Sequence, residues 1–410
     1  MQAATAGAED GAPNHPLALR MGVIAGFSHN AVIGCIMGSF SVLLATAAAT
    51  SGMTTEQALL GGPAVMLGSS LAAPIAGDAM TRMPLRRLMV FGAALATLGF
   101  VLLALVPGKL VYFASYLLLF GPAMAIVGSV GPATLVTRWF NSNRGLALGL
   151  VHLNIVVAVM PLFCNWLLGV AGPLAVYLTM AGLVALVLTP MLLAIRERPP
   201  EAIPAGDAAQ PGVPAEALSL WQILKLPAFW YIAASASAVI TGIMVLTFTM
   251  VPLAESYGYS RGQGAVLQTI MSVAGMAGSV LFGWLADRLG GLRGLALLAF
   301  DFAVLMAILL LKLPFSVLAV VIGLLGLHGA GMVPNVSRAL ATVLGPAAFS
   351  RAFGLFSLLS VPFTALGIAG MGASHSATGS YNAGLAGVVA LLLLAVPLTV
   401  LAGRTRATAA

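Results

Sequence analysis

Charge is what this chain has least of. Asp, Glu, Lys and Arg make up 7% of its 410 residues, with 18 basic and 11 acidic side chains. Soluble domains carry about 25% charged residues, so an ordinary water-facing surface is excluded. There are two cysteines, Cys35 and Cys164, each inside an apolar run, which argues against a disulfide framework or a zinc site. No G-x-x-x-x-G-K-[ST] segment occurs, so ATP is not expected to act directly, and no cofactor or metal is implied. The 11 acids and 5 histidines are too dispersed for a paired-carboxylate or nucleophile–base set, so an enzyme is not expected. The first eighteen residues lack the basic and apolar regions of a cleavable signal peptide. The net charge of +7 comes from residues scattered singly between apolar stretches, a pattern of membrane topology rather than of nucleic-acid binding.

What is there is apolar: 60% hydrophobic residues and a mean hydropathy of +1.06. A spanning helix needs about 20 mostly apolar residues. Twelve stretches qualify: 19–47, 57–79, 87–106, 110–137, 144–169, 172–195, 227–254, 262–286, 291–312, 314–342, 350–373 and 380–403. The expected fold is an all-α membrane protein of twelve transmembrane helices. Residues 196–226 form a long polar stretch rich in Pro, Ala and acids, read as a cytoplasmic linker in which Trp221 and Leu224 belong to a short interfacial helix. The division is thus a 1–18 N-terminal tail, a 19–195 six-helix half, the 196–226 linker, a 227–403 six-helix half and a 404–410 C-terminal tail. With the N-terminus in the cytoplasm, only Lys109, Arg261 and Lys312 among the basic residues fall outside, so both termini are expected to be cytoplasmic. High Ala and Gly content points to a bacterial inner (cytoplasmic) membrane, with membrane lipid as surroundings and a monomer as the expected state.

The segment GWLADRLGGLR, Gly283 to Arg293, places a tight charged cluster between two apolar stretches. Gly283, Asp287, Arg288, Gly290 and Arg293 resemble the loop signature of the major facilitator superfamily. The first half holds a degraded copy: Gly77, Thr81 in place of the acid, Arg82, Pro84 in place of the glycine, and Arg86. Two related halves are the internal repeat of secondary transporters. The resemblance implies the major facilitator fold, two pseudo-symmetric halves and alternating access, with Gly77, Arg82, Arg86, Arg144, Gly283, Asp287, Arg288, Gly290 and Arg293 as a conformational latch.

Arg138-Trp139-Phe140 through Arg144-Gly145-Leu146-Ala147-Leu148-Gly149 resembles a loop of the monocarboxylate transporter and oxalate/formate antiporter group. SLWQILKLPAFWYI (219–232), Tyr257-Gly258-Tyr259-Ser260 and Gly379-Ser380-Tyr381 are similar to that group too. The implied cargo is a small organic acid, a monocarboxylate or dicarboxylate. Departures favour an alternative: the eighth-span Asp and Arg of those carriers are here Gly275 and Ser279, and no Lys or Arg lies deep in any span. A neutral ring-bearing vitamin such as riboflavin is the other reading. Drug/proton antiporters are a minor one, since Pro161 in span five lacks the glycines that surround it there.

Ionisable residues at membrane depth are costly and so are default functional candidates. In the superfamily arrangement spans one, four, seven and ten line the cavity. The expected substrate-binding residues are His29 and Asn30 in span one, His152 and Asn154 in span five, Thr247 in span seven, and His328 and Asn335 in span ten. Asn335 lies seven residues from His328 and so on the same helix face. If a coupling proton is carried, His29, His328 and Asp301 are its candidate sites; the rival reading for Asp301, in peripheral span nine, is a structural contact.

Overall fold

The computed structural model describes residues 15–140, 144–197, 220–344 and 348–407. Most of the 196–226 stretch and both extreme tails therefore lie outside the described residues. The described chain is helical throughout. In order it contains α1 (Ala18–Thr50), α2 (Thr55–Met80), α3 (Leu85–Leu105), α4 (Lys109–Trp139), α5 (Arg144–Val151), α6 (Ile155–Gly182) and α7 (Thr189–Leu193). Then come α8 (Leu220–Lys225), α9 (Pro227–Ser256), α10 (Arg261–Leu289), α11 (Gly291–Ile308), α12 (Phe315–Gly329), α13 (Met332–Leu344), α14 (Phe349–Thr378) and α15 (Asn382–Ala407).

Among the described residues, nine helical stretches are long and apolar enough to cross a membrane, and α12 is a shorter apolar one. The count reaches twelve by simple geometry. The 47-residue stretch Ala147–Leu193 would be about 70 Å long as one helix, more than twice the hydrocarbon thickness. It turns at Gly172, whose φ of 77° and ψ of 178° suit a residue without Cβ, and so reads as two passes. The 29 residues of α10 are long enough to span but carry charge at both ends. The tenth pass is α12 plus α13, interrupted at Ala330–Gly331. Pro334 lacks the N–H that would reach the Ala330 carbonyl in a regular helix, which accounts for the break.

Four π-helical segments occur among the described residues: Gly34–Gly38 within α1, Ser115–Phe120 and Met124–Val130 within α4, and Leu183–Leu188 before α7.

The chain divides into two compact units. The first comprises Met1–Ser39, Ala64–Met160 and Trp166–Asp207; the second comprises Phe40–Pro63, Pro161–Asn165 and Ala208–Ala410. This division differs from the sequence halves at the short segments Phe40–Pro63 and Pro161–Asn165. Within the second unit, Phe40 packs edge-on against Phe248 with ring centroids 4.7 Å apart, and a Cβ on Gly62 would touch the same ring at 3.0 Å.

Each unit contains crossings where backbone meets backbone. In the first, a Cβ on Gly68 of α2 would overlap the Leu117 carbonyl of α4, and one on Gly121 would lie 2.7 Å from Gly68 Cα. In the second, a Cβ on Gly278 of α10 would overlap the Leu327 carbonyl of α12, and one on Gly326 would overlap the Met271 carbonyl. Small residues at such crossings let van der Waals attraction hold helices together where lipid supplies no hydrophobic drive. Gly275 belongs to the same seam: a Cβ there would sit 3.3 Å from Gly326 O. The position where monocarboxylate carriers have an acid is thus packed against helix backbone.

Candidate functional site

In the first unit, His29, Asn30, His152 and Asn154 come together. Helix α4 sets up the first contact. Pro132 has no N–H to give the Gly128 carbonyl one turn earlier, and His29 Nδ1 lies 2.5 Å from that oxygen. His29 Nε2 is 3.1 Å from Asn154 Oδ1. The doubly protonated ring satisfies both oxygens; a neutral ring does so only if the Asn154 amide turns its NH2 inward. His152 stands edge-on to His29 with centroids 4.8 Å apart, and its Nδ1–H donates to Leu148 O at 2.9 Å.

The chain between α5 and α6 is not helical at Leu153 and Asn154. Asn30 bridges this interruption. Its Oδ1 accepts from Val156 N–H at 3.0 Å, and its Nδ2 donates to Gly26 O at 2.9 Å. A side chain from α1 therefore caps the first turn of α6, doing what an N-cap residue normally does locally. His152 also lines a groove of about 460 Å³ with Ser129, Thr134 and Thr137.

In the second unit His328 faces Asp301, with Nε2 and Oδ2 3.7 Å apart. His328 Nδ1–H donates to Leu324 O at 2.7 Å, so in the neutral ring Nε2 presents its lone pair to the carboxylate. The Phe282 ring covers the imidazole at 5.0 Å. Asn335 shares the face of His328, and that face meets α11: its Oδ1 lies against Gly294 without a hydrogen-bond partner, seven residues from Asp301. Its Nδ2 donates to Gly331 O at 2.8 Å. Thr247 donates to Ile243 O at 2.8 Å, and its own carbonyl accepts from Gln268 Nε2 at 3.3 Å. Gln268 is fully buried and also accepts from the Ser41 hydroxyl.

The loop residues separate. Arg82 pairs with Asp78 at 3.1 Å, both well exposed, and a Cβ on Gly77 would meet nothing within 4 Å. Arg86 contributes its backbone: the N–H groups of Leu85 and Arg86 donate to Glu197 Oε2 and Oε1, each at 3.0 Å. The same carboxylate takes Arg138 Nη1 at 3.1 Å, while Arg138 Nη2 donates to Met80 O at 2.9 Å. Pro84 precedes α3 and offers no side-chain cap, so an anion from elsewhere fills that role. Gly290 has φ 81° and turns the chain between α10 and α11. Arg288 and Arg293 are exposed. The side chains of Arg144 and Asp287 and the surroundings of Gly283 lie outside the described residues.

Several of these contacts escaped the sequence reading. Glu197 sits where the linker was expected to begin, Asp78 is not one of the named positions of the degraded motif, and Gln268 was not singled out. The one available signal was the uncapped helix start after Pro84, which calls for an acid.

The sequence matches the model of the Major Facilitator Superfamily over residues 24–368. The chain belongs to that superfamily. This major facilitator protein is 23% identical over 279 residues to YcxA, an uncharacterized MFS-type transporter of Bacillus subtilis strain 168; the match covers 64% of this chain and spans 61% of that relative's length. Its fold superposes, with a TM-score of 0.73 and 16% identity, on a bacterial homologue of the human lysosomal transporter Spinster, whose crystal structure is inward-facing and unoccupied. The overlap covers 96% of this chain and 97% of the other. The all-α major facilitator fold expected from the sequence is therefore the fold of this membrane protein.

Proposed function

We propose that this major facilitator protein is a secondary transporter that carries a small organic acid across the cytoplasmic membrane by alternating access. The observation that carries this reading is the family match over residues 24–368. The small-acid cargo rests on the likeness of the Arg138–Gly149 loop and the 219–232 approach to the monocarboxylate and oxalate/formate group.

The substrate contacts the first unit at the interrupted fifth pass. An interrupted helix at membrane depth is tolerated where polar groups or a water-filled cavity satisfy its backbone. His29, Asn30, His152 and Asn154 supply such groups, and His328, Asn335 and Thr247 are the counterparts proposed in the second unit. Asp301 and His328 carry the coupling proton, because they are an acid and an imidazole that face each other 3.7 Å apart at membrane depth, where ionisable groups are costly. The loop residues Gly77, Arg82, Arg86, Arg144, Gly283, Asp287, Arg288, Gly290 and Arg293 act as the conformational latch. Both termini face the cytoplasm, and the working unit is a monomer.

The second reading, a neutral ring-bearing vitamin such as riboflavin, is favoured by Gly275. It packs tightly in its seam with α12, where a Cβ would sit 3.3 Å from Gly326 O, and the acid of an Asp–Arg pair is missing there. Uptake of labelled pyruvate, oxalate and riboflavin into cells lacking their own carriers, with and without a protonophore, separates the readings. Protonophore-sensitive acid uptake supports the first; riboflavin uptake alone overturns it in favour of the second.

A further inference from the structure

A second polar site lies within the second unit, away from the histidines considered so far. A cavity of about 280 Å³ is lined by Ser41, Thr55, Glu255, Arg261, His375 and Tyr381, with an apolar wall that includes Val251 and Pro252. Pockets for drug-sized ligands start at about 300 Å³, so this one suits a smaller solute.

Its donors are unusually available. Arg261 approaches Glu255 through Nε at 3.6 Å, too far for a hydrogen bond, and its two Nη groups have no hydrogen-bond partner among the described residues. The Tyr381 side chain is 1% exposed, lines the cavity, and its hydroxyl likewise has no partner among the described residues. Burial, with Glu56 and Glu255 nearby, pushes that phenol up to about 12, so it remains a donor. His375 stacks on the Tyr381 ring at 4.6 Å, and its Nδ1 lies 2.9 Å from Glu56 Oε1. The Glu56 carboxylate thus keeps a proton on that nitrogen and fixes the ring that holds Tyr381 in place. Glu255 is the acid that an entering anion would displace from Arg261.

We infer that this cavity is a docking site for a small carboxylate, with Arg261 taking the two oxygens as a fork and Tyr381 donating a third hydrogen bond. The inference rests on the organic-acid reading above and supplies the cation that no span contains. A planar guanidinium matches a carboxylate bidentately where a lone ammonium does not. On the proposed orientation, Arg261 and Tyr381 lie at the outer ends of their helices, where a solute arrives.

The test is equilibrium binding of labelled pyruvate and oxalate to the purified full-length protein in nanodiscs. Four variants are compared: Arg261→Gln, Arg261→Lys, Tyr381→Phe and Glu255→Gln. Arg261→Gln is expected to weaken binding about tenfold or more, the loss of a charge-assisted pair. Arg261→Lys recovers part of it. Tyr381→Phe, which keeps the stack on His375, weakens it several-fold, and Glu255→Gln leaves it unchanged or tighter. Gel filtration and helical circular dichroism establish that each variant is folded. Acid binding equal in Arg261→Gln and the unaltered protein overturns the docking site and leaves the organic-acid reading standing. No acid bound by the unaltered protein overturns both.

Discussion

Asp301 of α11 and His328 of α12 face each other in the second unit, 3.7 Å apart, with the imidazole's other nitrogen held by its own helix at Leu324. Replacing Asp301 by Asn removes the acidic partner of His328 but keeps its shape. We expect Asp301→Asn to abolish accumulation driven by an imposed pH gradient while leaving counterflow exchange of preloaded substrate. Gradient-driven uptake at the unaltered rate in proteoliposomes would remove the pair from proton coupling.

Glu197 makes a structural prediction. It caps the first N–H groups of α3 and pairs with Arg138. Glu197→Ala uncaps that helix at a cost of about 1 kcal/mol. The thermal midpoint in detergent should fall by on the order of 2 °C, and Glu197→Gln, which can still accept, should fall less. Equal midpoints in all three proteins would mean the cap contributes nothing.

The glycines give a contrast. Gly278→Ala and Gly326→Ala each force a Cβ into a facing carbonyl, whereas at Gly77 a Cβ meets open space. Recovery of monodisperse protein should collapse for the first two and be unaffected by Gly77→Ala. If Gly77→Ala folds but transports slowly, its role lies in the latch rather than in packing.

Asn30 is expected to matter for stability before it matters for substrate. Asn30→Ala deprives Val156 N–H of its acceptor inside the membrane, a loss of roughly 1–2 kcal/mol. Hydrogen exchange at the first turn of α6 should quicken in this variant alone, and unchanged protection there would disprove the bridging cap.

Tyr381 sets a pH expectation. With its folded value up at about 12 the phenol stays protonated, and a donor, well past the ordinary tyrosine value of about 10. Acid binding should therefore show no Tyr381-dependent step between roughly pH 9 and pH 11. A step there that disappears in Tyr381→Phe would place the hydroxyl in water instead.

Much of the fold was legible because a bilayer imposes a simple rule: runs of about 20 apolar residues become helices. Helical spacing put His328 and Asn335 on one face; the structure has a break at Ala330–Gly331 between them, and each meets α11, at Asp301 and Gly294. What spacing does not carry is the partner. Glu56 and His375 are 319 positions apart, Ser41 and Gln268 are 227 apart, and no local pattern joins them. The break at Leu153–Asn154 was hidden because the side chain that compensates it, Asn30, comes from another helix. Asp301 was read as a residue of a peripheral span, which left its pairing with His328 unseen.

The glycine seams have a mechanical consequence. Where one helix's carbonyl rests on another's Cα, as at Gly68–Leu117 and at Gly278–Leu327, neither helix can slide or roll without collision. Each such pair behaves as a splint. Flexure inside a unit must then concentrate where the regular ladder of backbone bonds is already interrupted. In the first unit those places include Met124–Val130 and Leu153–Asn154, and in the second Ala330–Gly331. Stiffening one of these hinges, rather than altering any contact with solute, is the route by which a substitution could arrest the protein while leaving its affinity intact.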